Sequence, residues 1–530
     1  MLKATRSALF IVLLCAGTMA ESRAQSDINP PQASNLLATV KIDPNAAQKS
    51  IAPSFLGLSM VLSETRYTIG TSSSSNPYFQ QLLQNLLAHG NGPMEIRVLS
   101  DKAFSPTTVS DDLPALSNLY RDMQTTGHAV KYFVGVDFSG NSDTNDNEDG
   151  AAASEAETIH RILPDGSLLS YEIGNEPDLY NTSGIRSGYN YPKYKHEYEQ
   201  TAAAIEAKHT GVPMAAPVFS GYPGGFMDNV DGFILAEHAH LGMLDLHYYG
   251  GSHCNGKTTP SDYLLSSEAI NHITSTARPD NVAGYIRTLN QVGRGNFRIG
   301  EMNSIACGGQ DGVSNTFQSA LWFLDEAMSY ASAGVSGVNL FTIQNASAYY
   351  SPFRFNHTGN FPSSHYGIAQ INPIYYGILA AADMLQSKAA MLPLKLSTPL
   401  NIKAYATKDE HGVVRVLLIN KEETASGDGD IALYLPGRDD AVVSALRATN
   451  NDYRVSDYTH YTTHDEITFA GQTFKVTEGP QDGHLHGIAE RITVRPIDGL
   501  YRIPLAHASA AVVEIHRDNS LGAEGEKAGQ

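Results

Sequence analysis

A chain of 530 residues with 42% hydrophobic and 17% charged residues is long enough for two folded domains and has a globular composition, which excludes a fibrous or wholly disordered protein. Its formal net charge of −19 repels polyanions, excludes nucleic acid as the main partner and disfavours long sulfated or uronic acid polymers. Three cysteines in so long a chain exclude a disulfide scaffold.

The opening Met1-Leu2-Lys3-Ala4-Thr5-Arg6 is basic, residues 8–16 are apolar but too short to span a bilayer, and small residues follow at Thr18-Met19-Ala20 and Ser22-Arg23-Ala24. This pattern predicts a cleaved secretory signal over 1–24 and an exported protein, periplasmic or secreted, without stable membrane insertion. Leu14 before Cys15 argues against lipoprotein processing. Loss of three cations and one anion with that signal takes the formal charge to about −21.

Residues 25–50 form an N-terminal segment with strand character at 36–42. From 51 the pattern alternates. A turn at Ile51-Ala52-Pro53-Ser54 feeds a first buried strand ending near Ser59, and Asn76-Pro77 caps a helix over 78–89 that Gly90 stops. Strands follow at 94–98 and 131–136, with helices at 113–126 and 151–163, and the next strand ends in Tyr171-Glu172-Ile173-Gly174-Asn175-Glu176-Pro177-Asp178. Helices over 193–209, 226–238, 282–292, 315–332 and 373–385 alternate with strands at 213–218, 244–249, 297–301 and 337–341. Eight strands each followed by a helix predict a (β/α)8 barrel over 51–386. Beyond it the period changes to two. Short strands at 402–406, 413–420, 431–435, 442–446, 466–469, 473–476 and 510–515 predict a C-terminal β-sandwich over 387–516 and a disordered tail over 517–530. The 36–42 strand has no place in the count of eight and is expected to join the sandwich.

In this count Glu176 ends strand four and Glu301, in Phe297-Arg298-Ile299-Gly300-Glu301-Met302-Asn303-Ser304, ends strand seven. Pro177 cannot continue a ladder, so Glu176 sits where its strand stops, at the face of a parallel barrel that carries the chemistry. Two carboxyl groups on two strand ends suit hydrolysis of a glycoside with retention: one protonated to help the leaving oxygen depart, one ionised to attack the anomeric carbon. Glu176 is the better acid/base, since Asn175 beside it offers an amide to a sugar hydroxyl. Glu301 is then the nucleophile, oriented by Tyr248, Tyr249 or His247 from strand six. Glu172 reads as a buried carboxylate paired with Arg97. His247 reads equally as a core residue or a functional one.

Cys254 and Cys307 lie on adjacent loops and are a candidate disulfide. Trp322, in an apolar helix, reads as core, which leaves sugar stacking to Tyr349 and Tyr350. His238-Ala239-His240 does not place two rings on one helix face, and neither a metal nor a cofactor is expected.

The Asn-Glu-Pro and Gly-Glu sites look like the clan of retaining barrel glycosidases with paired glutamates. Three stretches narrow this: Gly300-Glu301-Met302-Asn303-Ser304 with the following Gly308-Gly309-Gln310-Asp311-Gly312-Val313-Ser314-Asn315-Thr316-Phe317, then His247-Tyr248-Tyr249, and Tyr349-Tyr350-Ser351-Pro352-Phe353. Together they resemble glycoside hydrolase family 79, which contains bacterial β-glucuronidases and the heparanases. The resemblance covers the barrel and, more weakly, the sandwich, where Phe469-Ala470-Gly471-Gln472-Thr473-Phe474 is similar to a family stretch. It implies Glu176 as acid/base, Glu301 as nucleophile, Asn175 and Asp101 as contacts to sugar hydroxyls, and exo action on a β-glucuronide. Where the bacterial β-glucuronidases carry a tyrosine that holds the uronate, this chain reads Ser304-Ile305-Ala306-Cys307. A neutral glycone such as glucose or xylose is therefore the alternative substrate, and a non-catalytic carbohydrate-binding protein the alternative from another class.

Overall fold

The computed structural model describes residues 35–517 except 101, 139–147, 222–223, 271–281, 346, 357–365, 387, 437, 457–465 and 476–479. The expected signal over 1–24, the segment 25–34, Asp101 and the tail beyond 517 lie outside the described residues. Among the described residues no helix is long and apolar enough to cross a membrane.

Eight parallel strands close into a barrel: β1 (Leu56–Val61), β2 (Met94–Leu99), β3 (Val130–Val136), β4 (Leu168–Ile173), β5 (Met214–Phe219), β6 (Leu241–Ser252), β7 (Phe297–Ala306) and β8 (Gly337–Phe341), with β8 pairing back onto β1. A helix follows each strand in turn: α1 (Pro77–Leu87), α2 (Leu113–Thr125), α3 (Glu148–Ile162), α4 (Tyr191–Glu206), α5 (Val230–Glu237), α6 (Val282–Gln291), α7 (Gln318–Ala333) and α8 (Pro373–Met384). The (β/α)8 expectation therefore holds, down to the cap of α1, where the Asn76 side chain accepts from the amides of Tyr78 and Phe79 with Pro77 at the first helical position.

Two of the expected strands are longer than the apolar runs that announced them. β6 runs through Gly250, Gly251 and Ser252, and β7 continues past Glu301 to Ala306. Glu301 thus sits inside its strand and not at its end, because β6 and β7 keep pairing, with Tyr249 opposite Asn303 and Ser252 opposite Ala306.

Among the described residues, Phe353–Asn356 and Gly367–Ile371 form an antiparallel pair of their own, and the remaining strands form two larger sheets. A four-stranded sheet orders Leu394–Ser397, Leu36–Ile42, Gly429–Tyr434 and Leu500–Leu505, so the N-terminal strand pairs here and not with the barrel. An eight-stranded sheet is built around Val414–Asn420, Ser509–Arg517 and Arg438–Ala448. Val414–Asn420 is buried along its whole length because the sheet is covered on both sides. Val416 and Leu418 face the four-stranded sheet. Leu417 and Ile419 pack instead into the cluster that contains the barrel core. That second face lies on α7 and α8, which explains why both helices are buried almost all round. Polar groups cross the same boundary: Lys421 Nζ donates to Asp325 Oδ2 at 2.6 Å, with both side chains fully buried.

The strand expected at 473–476 is reduced, among its described residues, to a bridge between Thr473 and His486. Leu500–Leu505 is a further strand, and Pro504 interrupts its pattern in the sequence. It is tolerated there because the strand lies at the edge of its sheet.

Candidate active site

β2, β4 and β7 meet inside the barrel through one side chain. Arg97 is fully buried, and all five of its N–H donors are used. Nε and Nη2 donate to the two oxygens of Glu172, each at 2.6 Å. Nη1 donates to Glu301 Oε2 at 2.5 Å and to Ser59 Oγ at 3.1 Å, and Nη2 also donates to Asn175 Oδ1 at 2.8 Å. The expected pairing of Arg97 with Glu172 is present. Through the same guanidinium Arg97 reaches Glu301 and Asn175, a connection that only closure of the barrel creates.

Glu301 is held at both oxygens, since Tyr249 donates its hydroxyl to Oε1 at 2.7 Å. Of the three partners left open by the sequence, Tyr249 is the one bonded to it. The Tyr249 ring leans on Tyr350 at 6.2 Å between centroids, and Tyr350 is itself buried between Tyr249 and Phe341. Tyr349, beside it, is half-buried, and its amide donates to the Gly308 carbonyl. Strand alternation turns Tyr248 the other way: its hydroxyl donates to the Ala269 carbonyl at 2.9 Å and its ring meets Tyr330 of α7. Tyr248 is therefore a packing residue behind β6 and does not reach the carboxylate pair.

Glu176 follows the end of β4 and takes a left-handed backbone, φ 47° and ψ 52°, which a non-glycine residue adopts only when its surroundings hold it there. Its amide donates to the carbonyl of Val218 at 3.0 Å, and Asp178 accepts from the Ser220 amide at 3.0 Å and its hydroxyl at 2.5 Å. The end of β5 and the loop after it thus fix the turn that aims Glu176. His247 Nδ1 lies 2.9 Å from Glu176 Oε1, which gives that histidine a place in the site. Its Nε2 is buried without a partner. Burial, reinforced by the Arg97 cation, lowers the His247 pKa to about 3, so the ring is neutral.

The two glutamates stand in different surroundings. One donor atom from each of Glu176, His247 and Glu301 can be chosen so that all lie within 4.8 Å of one another. Burial raises the pKa of Glu176 to about 7, against the pull of Arg97. Its side chain remains 23% exposed, against 8% for Glu301. Glu301 instead receives a cationic and a phenolic donor. One carboxyl group holds its proton near neutrality and the other is held among donors, at a separation short enough for both to meet one anomeric carbon. The same trio is the one group of histidine and carboxylate donors among the described residues placed as metal ligands would be. Arg97 bonded to Glu301 opposes a second cation there, and His247 Nδ1 is already engaged with Glu176.

Cys254 and Cys307 form a disulfide with Cα atoms 5.2 Å apart, tying the loop after β6 to the loop after β7. Trp322 is fully buried and donates to the Ala269 carbonyl, so it serves the core. Arg97→Met should destabilise the protein by about 3–5 kcal/mol, because it strands Glu172 and Glu301 without their shared cation. Urea unfolding would measure this, and Arg97→Lys should recover only part of the loss, since a lysine restores the charge but not the five-donor fork.

No model of a known protein family matches the chain. It is similar to a β-glucuronidase of Neurospora crassa, 24% identical over 443 residues that cover 74% of this chain and 76% of that protein. It is also similar to a β-glucuronidase of Aspergillus niger, 26% identical over 391 residues that cover 67% of this chain and 69% of that protein. Among solved structures, a 4-O-α-L-rhamnosyl-β-D-glucuronidase from Fusarium oxysporum matches 90% of this chain and 100% of its own at a TM-score of 0.66 and 17% identity. An arabinofuranosidase from Xanthomonas axonopodis pv. citri matches 91% of this chain and 100% of its own at a TM-score of 0.60 and 13% identity. At those identities the two structures speak for the fold.

Proposed function

We propose that this protein is a retaining, exo-acting glycoside hydrolase for β-glucuronides, with Glu301 as nucleophile and Glu176 as acid/base. The observation that carries the reading is the contrast within the pair: a carboxyl whose pKa burial raises to about 7 and a carboxylate bound by two donors, with oxygens that approach within 4.8 Å. A retaining mechanism needs its two carboxyl groups about 5–5.5 Å apart. Glu301 forms the bond to the anomeric carbon while Glu176 delivers its proton to the leaving oxygen. Glu176, then ionised, draws the proton from the water that releases the sugar. Asn175, whose oxygen is taken by Arg97, presents its amide N–H groups to a substrate hydroxyl. The fungal relatives named β-glucuronidases support the uronic glycone. Export with removal of 1–24 suits a chain with a disulfide between its site loops.

A neutral glycone is the second reading. Residues 304–307 offer a uronate no phenol: Ile305 is core, Ala306 is apolar, and Cys307 is spent in the disulfide. Hydrolysis of a matched pair of nitrophenyl β-glucuronide and β-glucoside decides between the two readings, with Glu176→Ala and Glu301→Ala as controls. Turnover confined to the glucuronide is expected, with the β-anomer released first by proton NMR. Turnover confined to the glucoside would replace the glycone, and release of the α-anomer would remove Glu301 as nucleophile.

A further inference from the structure

Arg298 and Glu301 both point into the barrel although they are three residues apart on β7. Arg298 reaches across the interior to Glu95 of β2 at 3.0 Å and to Asn339 of β8, and Glu301 reaches Arg97 of β2. Regular alternation from Arg298 would turn Glu301 outward. The phase changes because β7 carries one extra residue. On one side Leu246 pairs with Ile299 but His247 with Glu301; on the other Val338 pairs with Ile299 but Leu340 with Met302. Both neighbours place the bulge at the same point, around Gly300.

Asp245 lies under this bulge. It is fully buried on β6, and its Oδ1 accepts the Gly300 amide at 2.9 Å. Gly300 is required in turn, for a Cβ there would come within 2.1 Å of that oxygen. Asp245, His247 and Tyr249 keep an unbroken inward alternation on β6, so the strand that carries Asp245 is the fixed reference and β7 the one that shifts.

We propose that Asp245 is a positioning residue for the nucleophile: its carboxyl anchors the Gly300 bulge and thereby sets the phase in which Glu301 enters the site. The inference rests on the reading of Glu301 as nucleophile. Asp245 faces Glu172 of β4, Arg97 of β2 and Arg298 of β7. Burial first, and then Glu172, push its carboxyl well above the usual carboxylate range, against Arg97, the Gly300 amide and Arg298. Asparagine keeps an acceptor oxygen for the Gly300 amide, whereas leucine removes it at similar size.

The reaction of Glu301 alone can be timed with dinitrophenyl 2-deoxy-2-fluoro-β-glucuronide and its glucoside counterpart. Glu301 forms the bond to the anomeric carbon, dinitrophenolate leaves with the electron pair of the broken bond, and the fluorine slows release of the sugar. The label is located by peptide mass spectrometry. Asp245→Leu should lower the inactivation rate constant by about 100-fold, the effect of misplacing a reacting group by roughly 1 Å, with the concentration for half-maximal rate little changed. Asp245→Asn should stay within about tenfold of the native rate, because the hydrogen bond to Gly300 survives. Equal rates in the native and leucine proteins would overturn the inference. So would a loss of about 100-fold in a folded Asp245→Asn protein, since charge and not the anchor would then be at work. That second result decides even if the leucine variant does not fold. Absence of any label on Glu301 of the native protein, with both probes, would overturn the nucleophile assignment and this inference with it.

Discussion

Glu301→Ala is expected to lose about 10⁴- to 10⁶-fold in kcat/KM on nitrophenyl glycosides, the scale on which removal of a covalent nucleophile is felt. The loss follows from the roles assigned around it. With the carboxylate gone, Arg97 keeps Glu172 and Asn175 but has nothing to present to the anomeric carbon, and the Tyr249 hydroxyl loses its acceptor. Because Arg97 retains a bidentate partner in Glu172, the variant should fold, which separates the chemical from the structural effect. Azide added with a dinitrophenyl substrate supplies the decisive readout. In the space left by the carboxylate it attacks from the same side as Glu301 and yields the α-glycosyl azide. Recovery of activity without that product, or kcat/KM within tenfold of the native value, would take the role from Glu301.

Much of this arrangement was legible in the chain, for physical reasons. Eight apolar runs alternating with amphipathic helices admit few architectures, and the Asn175-Glu176-Pro177 stop marks its own strand end because proline cannot extend a ladder. The same logic misled at β7. Gly300-Glu301 looks like a strand end, but pairing with β6 carries the strand on to Ala306, and a bulge is defined by its partner and so has no signature in one strand. The choice among His247, Tyr248 and Tyr249 was open for want of a phase. Asp245-Leu246-His247-Tyr248-Tyr249 did contain the signal, a polar residue at every second position, which puts Tyr249 with His247 and turns Tyr248 to the helix side. Arg97 as the centre of the site could not be read, since its five bonds join it on β2 to residues of β1, β4 and β7 and of the turn after β4.

Glu176 gives the prediction in which pH is the variable. Its pKa of about 7 comes from burial beside a histidine that is itself neutral, so the acid that donates to the leaving oxygen is half ionised near neutrality. The sign follows directly: bond cleavage needs the protonated form, which is present below that pKa and lost above it. The kcat/KM for a substrate with a poor leaving group should therefore fall with unit slope above about pH 7. Glu176→Ala should lower that rate by about 10²–10⁴-fold and remove the alkaline limb. On a dinitrophenyl substrate, whose leaving group needs no proton, the same variant should form the glycosyl-enzyme at nearly native speed and stall at its hydrolysis, seen as a burst. Azide should then release the β-glycosyl azide, the opposite anomer to that expected from Glu301→Ala, because it attacks the covalent intermediate from the face that water uses. An alkaline limb that persists in Glu176→Ala would mean that another group carries the proton. The neighbour to examine would be Asp178, whose carboxyl burial raises to about 6 against its bonds to Ser220.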